Sequence, residues 1–254
     1  TKLSTRVVSL IFLAILFIGL FLSAKRAHLI FTIVALLLTF IFSLNNKRFV
    51  ENVVKLIITL MTVIFFVIIL YNSINFKDDS VIVSFANELE STIQGLIEGE
   101  DVSNGRSVLF AHAWEQFKNN PIIGIGWKEF MNNSLGLIRN DMGSHPHNIY
   151  LQILSEFGLV GFIFFFTPVM YLYYKTFQTI RFLTTHKKLL IQWRAGVQFS
   201  FFIQTFFLLY GLTGNPITDY NFLLLYFFAC SISLSALVNL NKSEVLTSEK
   251  EISR

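Results

Sequence analysis

The stretch Ser144-His145-Pro146-His147-Asn148 sets two imidazoles on either side of a proline. An imidazole titrates near neutrality, with an ordinary pKa of about 6.5, so His145 or His147 could move a proton in a group-transfer reaction. Pro146 fixes its own φ and disfavours helix in the residue before it, so a following helix starts at His147 or Asn148. From there Asn148, Gln152 and Glu156 recur at every fourth position and share one face. Glu156 then lies about 12 Å along the axis from Asn148. A carboxylate within an apolar helix faces a polar interior or a site, or pairs with a cation to lock helix packing. Two histidines alone fall short of a metal-ligand set.

Upstream, Ser103 or Asn104 is placed to cap a helix in which Leu109, Ala113 and Phe117 share a face and which Asn120-Pro121 ends. Arg106 falls in its first turn, where unpaired N–H groups and the positive end of the dipole favour an anion and disfavour a cation. A guanidinium there suits a doubly negative group such as a pyrophosphate, which its planar fork grips bidentately. An ion pair with Glu100 or Asp101 is the alternative. Gly124 and Gly126 mark a tight turn before the aromatic residues at 127–130. Gly158 and Gly161 are small enough for close helix packing. No GxGxxG, P-loop, HExxH, CxxC or GxSxG stretch is present, which removes support for dinucleotide, NTPase, zinc-protease and serine-hydrolase readings.

The elements that must hold these residues are apolar. Of 254 residues 54% are hydrophobic and 14% charged, and 29 are Phe, whereas soluble domains carry nearer a quarter charged residues. Six runs approach the roughly 20 residues a helix needs to cross a bilayer: 7–22, 27–44, 53–71, 149–174, 195–212 and 220–238. The expected fold is an all-α integral membrane bundle. Its parts are three spans in 1–71, an extracytoplasmic loop at 72–148 with an amphipathic helix near the membrane surface, three spans in 149–238 and a cytoplasmic tail at 239–254. Lys175, Arg181, Lys187, Lys188 and Arg194 put the connection between spans four and five inside, which leaves 72–148 outside. Lys25 and Arg26 then fall on the outer side, against the positive-inside tendency; they either snorkel to headgroups or serve a function. The net charge of +4 is read as this membrane bias, not as nucleic-acid binding, and Cys230 has no second cysteine to pair with.

These residues together resemble the O-antigen ligase (WaaL-like) and Wzy-type polymerase family. His147-Asn148, nine residues, then Gly158-Leu159-Val160-Gly161 fits the ligase pattern of His followed by Asn, Ser or Gln, nine residues, Gly, two residues, and Gly, Thr or Tyr. Gly105-Arg106, Ala113-Trp114, Phe117, Asn120-Pro121 and Gly124-Ile125-Gly126 look like the family's outer-loop stretch. The resemblance implies a GT-C-like transferase in the bacterial cytoplasmic membrane, active on its periplasmic side and needing neither a metal ion nor a nucleotide sugar. Its donor would be an undecaprenyl-pyrophosphate-linked glycan, its acceptor lipid A–core, a second repeat unit or a protein hydroxyl. By position, His147 matches the catalytic His, and Arg26 and Arg106 match the two arginines at the pyrophosphate. Asn148, Lys25, His145 and Glu156 are further substrate-binding candidates. Arg6 superficially fits the first arginine motif but lies on the inner face in this topology. A transporter or flippase of lipid-linked sugar would also want outer arginines and a buried acid. The family usually has more spans than the six readable here, so the chain reads as the C-terminal part of a longer protein.

Overall fold

The computed structural model describes residues 26–43, 105–137, 145–185 and 191–252, with isolated positions 54, 94, 97 and 98. The expected spans at 7–22 and 53–71 lie outside the described residues, as do Lys25, Glu100 and Asp101. Among the described residues all regular structure is helical: α1 (Arg26–Phe42), α2 (Arg106–Asn119), α3 (Glu129–Asn133), α4 (Ile149–Thr185), α5 (Ile191–Tyr210) and α6 (Tyr220–Ile252). The chain divides into two compact units, residues 1–33 with 53–102 and residues 34–52 with 103–254. Everything that follows concerns the second, except Arg26.

α4, α5 and α6 form an antiparallel three-helix bundle with two core layers. One layer joins Ile149, Ile153, Phe166 and Val169 to Ile203, Phe207, Tyr226, Ala229 and Cys230. The other joins the far ends of the same helices through Ile180, Leu183, Val197, Phe201, Ala236 and Leu240, with Leu38 and Phe42 of α1 packed against it. Two described helices are long and apolar enough to cross a membrane, α4 and the Tyr220–Leu240 part of α6. α5 carries its polar residues inward. Gln204 donates to Thr176 and Ser200, each at 2.9 Å, and Ser200 donates to the Ala229 carbonyl at 2.6 Å. The Gln204 amide nitrogen and the hydroxyls bonded in this way stitch the three helices together while lowering the hydropathy of α5.

α4 is broken. Gly158 has φ 64° and ψ −163°, so its 37 residues are two helical segments, 149–157 and 159–185. The small residue read from sequence as a packing contact does pack closely, and it is also a backbone break, in a conformation open essentially to glycine alone. The break frees carbonyls and N–H groups that an unbroken helix would pair, and the loop at 121–126 takes them up. Ile125 and Gly126 donate to the Ser155 and Glu156 carbonyls, both at 2.9 Å, while Leu159 and Val160 donate to the Pro121 and Ile122 carbonyls at 2.9 and 3.1 Å. The approach is so close that a Cβ on Gly158 would collide with the Ile122 backbone, and one on Gly124 (φ 72°) with the backbone of Glu156 and Phe157. The turn expected at Gly124 and Gly126 is present, both residues having positive φ.

Gly136 also has positive φ, 77°, but nothing lies within 4 Å of its would-be Cβ. Gly136→Ala should thus cost only the left-handed strain of about 1–2 kcal/mol. Gly158→Ala combines such strain with a backbone collision and should cost of order 3 kcal/mol or more. Thermal unfolding of the two variants in one detergent measures the difference, and equal midpoints would refute the lock.

Candidate functional site

α2 ends at the expected Asn120, which donates its N–H to the Gln116 and Phe117 carbonyls. Its N-cap differs from expectation: it is Gly105, at φ 80° and with no side-chain cap, not Ser103 or Asn104. Gly105 brings no side chain to cap the start and the first turn holds no acid, so Arg106 sits at the positive end of the helix dipole. Arg106 is the first helical residue, in helical register with Leu109 and Ala113, which are buried with Phe130 against Ile125 and Leu151. This register turns the half-buried Arg106 toward the start of α4.

That start is bolted to the end of α5. Asn148 caps α4: its side-chain oxygen accepts from the N–H groups of Tyr150 (3.0 Å) and Leu151 (3.1 Å), and its amide donates to the Leu212 carbonyl at 3.2 Å. Ile149 donates its N–H to Gly211 at 2.9 Å, and the Tyr150 hydroxyl donates to Leu208 at 2.7 Å. Pro146, just before, is fully buried. Between buried Pro146 and capping Asn148, His147 takes the left-handed conformation, φ 51°, with its side chain open to solvent. Left-handed residues other than glycine are uncommon, and His is among the types that tolerate the region.

The two imidazoles sit in positive surroundings. Partial burial of the His147 ring pushes its pKa below the usual 6.5, and the charges of Arg106 and then His145 push it further down. His145 is lowered by burial and then by Lys128; its Nδ1 is buried without a hydrogen-bond partner among the described residues. Arg106 and His147 are thus brought into one electrostatic neighbourhood from positions some forty residues apart. Arg26 opens α1 and belongs to the other compact unit.

Behind the histidines runs a buried polar chain. Asn215 donates to Gln152 Oε1 at 2.6 Å, and Gln152 Nε2 donates to Glu156 Oε2 at 3.4 Å. Glu156 is 0% exposed, and its Oε1 has no side-chain partner among the described residues. Lys128 acts on this carboxylate through both its main chain and its ammonium. The face shared by Asn148, Gln152 and Glu156 is therefore a polar seam against the 211–219 loop. Sequence reasoning missed Lys128 and Asn215. Lys128 follows the Gly126 turn at φ 64°, and its only sequence signal was a cation beside that turn; Asn215 offered only an Asn-Pro pair in a short loop.

Residues 11–166 match the family described as O-antigen ligase. The chain belongs to the O-antigen ligase family. The match includes every candidate position from Lys25 to Glu156. No curated protein and no solved structure gives a match. Membership in the O-antigen ligase family makes this a membrane-associated protein of the ligase or polymerase kind, working between a glycan donor and an acceptor. The described residues thus hold a cation at a helix start and, beside it, an imidazole whose pKa is held below 6.5.

Removing Arg106 should raise the titration midpoint of His147 toward its ordinary value, and removing Lys128 should raise that of His145. NMR titration of histidine-labelled Arg106→Gln and Lys128→Gln in detergent checks both shifts; an unmoved His147 in the former would show that the two do not interact. Both folded-state pKa values lie below the unfolded one, so the unfolded chain binds more protons as pH falls. The associated stability is therefore present above about pH 6.5 and declines on acidification below it.

Proposed function

We propose that this member of the O-antigen ligase family transfers a glycan from undecaprenyl pyrophosphate to an acceptor hydroxyl, that of lipid A–core, at the periplasmic face of the bacterial cytoplasmic membrane. What supports this reading is that Arg106, the first residue of α2, lies near enough to His147 for its charge to lower the pKa of that imidazole. A cation on a positive helix end is suited to a pyrophosphate, and a neutral imidazole beside it is suited to a hydroxyl.

In the proposed reaction His147 takes the proton of the acceptor hydroxyl as its oxygen attacks the anomeric carbon. The bond from that carbon to the pyrophosphate oxygen breaks, and its electron pair leaves with undecaprenyl pyrophosphate. Arg106 and the α2 N-terminus stabilise the charge growing there; the family resemblance assigns Arg26 the same task, with Lys25 a further candidate. Attack from the face opposite the leaving group inverts the configuration at the sugar. Asn148 holds the start of α4 so that His147 keeps its place. His145 contributes to the substrate surroundings, while Glu156, buried out of reach of a ligand, supports them through Gln152.

His147→Ala should lower transfer by a factor of about 10² or more, the usual contribution of a general base, in membranes where the protein remains folded. Wild-type transfer by that variant would sink the assignment. Labelled donor in reconstituted vesicles fixes the reaction class: a transferase releases free undecaprenyl pyrophosphate, whereas a transporter moves the intact lipid-linked sugar. Offering lipid A–core, a lipid-linked repeat unit or a protein hydroxyl then separates a ligase from a polymerase and from a protein O-oligosaccharyltransferase.

A further inference from the structure

The loop that repairs the break in α4 turns two large apolar side chains away from the protein. Ile122 and Ile123 are 65% and 74% exposed, and Trp127 is 56% exposed with its ring 5.5 Å from that of Phe157. Ile125, between them, points inward to Leu109, Ala113 and Phe130. The outward residues adjoin an apolar surface of α4. Residues 149–158 contain no exposed position, but from Leu159 onward α4 exposes Leu159, Val160, Ile163 and Phe164, the last at 82%. Backbone hydrogen bonds from Leu159 and Val160 to Pro121 and Ile122 place the two surfaces side by side. No charged residue lies between Lys118 and Lys128.

We infer that residues 121–127 form a wedge inserted among the lipid acyl chains beside the candidate site, extending the lipid-facing surface of α4. Three features favour lipid over any other occupant. Continuity comes first, because the wedge extends a helix that is long and apolar enough to span the bilayer. Backbone chemistry comes second: non-helical backbone at membrane depth must be packed on protein, and this loop's backbone lies directly against α4. Here the N–H groups of Gly124, Ile125 and Gly126 and the carbonyls of Asn120, Pro121 and Ile122 are all paired, and Pro121 has no N–H to satisfy. Flanking residues come third, since Trp127 and the exposed Lys128 at one edge are the side chains that settle at a headgroup boundary.

The inference rests on the family's membrane association and not on the chemistry proposed above, so its test uses no transfer assay. In a Cys230→Ala background, nitroxide is attached separately at Ile123→Cys, at Phe164→Cys as the lipid-facing reference and at Lys118→Cys as the aqueous reference. The chain is reconstituted in phosphatidylethanolamine–phosphatidylglycerol vesicles. Collision of each label with oxygen, which partitions into hydrocarbon, is compared with collision with a water-soluble nickel chelate. The label at Ile123 should follow that at Phe164, colliding with nickel several-fold less often than the label at Lys118. Nickel collisions equal to those at Lys118 would overturn the inference in favour of an aqueous loop. Shielding from both reagents would overturn it in favour of protein contact, including a second copy of the chain. Ile122→Cys repeats the test should Ile123→Cys fail to fold.

Discussion

Where α4 breaks at Gly158, main-chain groups that an unbroken helix would pair are left over in an apolar setting, and each needs a partner. The loop at 121–126 satisfies four of them, donating twice and accepting twice across the break. Most of the site follows from that exchange. It fixes the loop on α4, the loop ends α2 and begins α3, and the seating of α2 on α4 directs Arg106 at the turn holding His147. A side chain on either glycine would force the strands of this exchange apart. The spacing between His147-Asn148 and Gly158 thereby acquires a mechanical meaning: it is the length of the short helix between the cap and the break.

A second constraint acts at the other end of that short helix. Asn148 and Ile149 tie it to the last turn of α5, and Gln152 ties it through Asn215 to the loop before α6. The segment 149–157 is thus fixed at both ends and along one face, with Glu156 sealed behind it. Burying a carboxylate is costly unless polar groups attend it, and Gln152 and Lys128 do so here. The same arrangement sets Lys128 near His145, so the electrostatics of the histidine pair depend on a residue that touches neither α4 nor α2 in sequence.

Helical periodicity and apolar run length made the bundle legible: α6 starts at the expected Tyr220, and α2 ends at the expected Asn120. The end of α2 could be read because Asn-Pro leaves a helix few alternatives. Its beginning was misread, since Ser103 and Asn104 are better caps by propensity than the Gly105 that serves, and propensity yields to tertiary context. Gly158 was read as a close contact, which it is, but the break there was missed for a related reason. A glycine inside an apolar run reads as a packing contact unless the partner of the broken backbone is known, and that partner lies more than thirty residues upstream. Of the candidate residues, Arg106 was placed correctly by local rules alone, whereas its proximity to His147 arises from packing that local rules do not contain.

His147 has one further consequence. Buried Pro146 on one side and the cap formed by Asn148 on the other leave its main chain little freedom to rearrange. The ordering entropy of this corner is lost when the protein folds, not when a partner arrives. An incoming molecule that docks on the ring therefore meets a preorganised group, and little of its binding free energy is diverted into immobilising the chain beneath it.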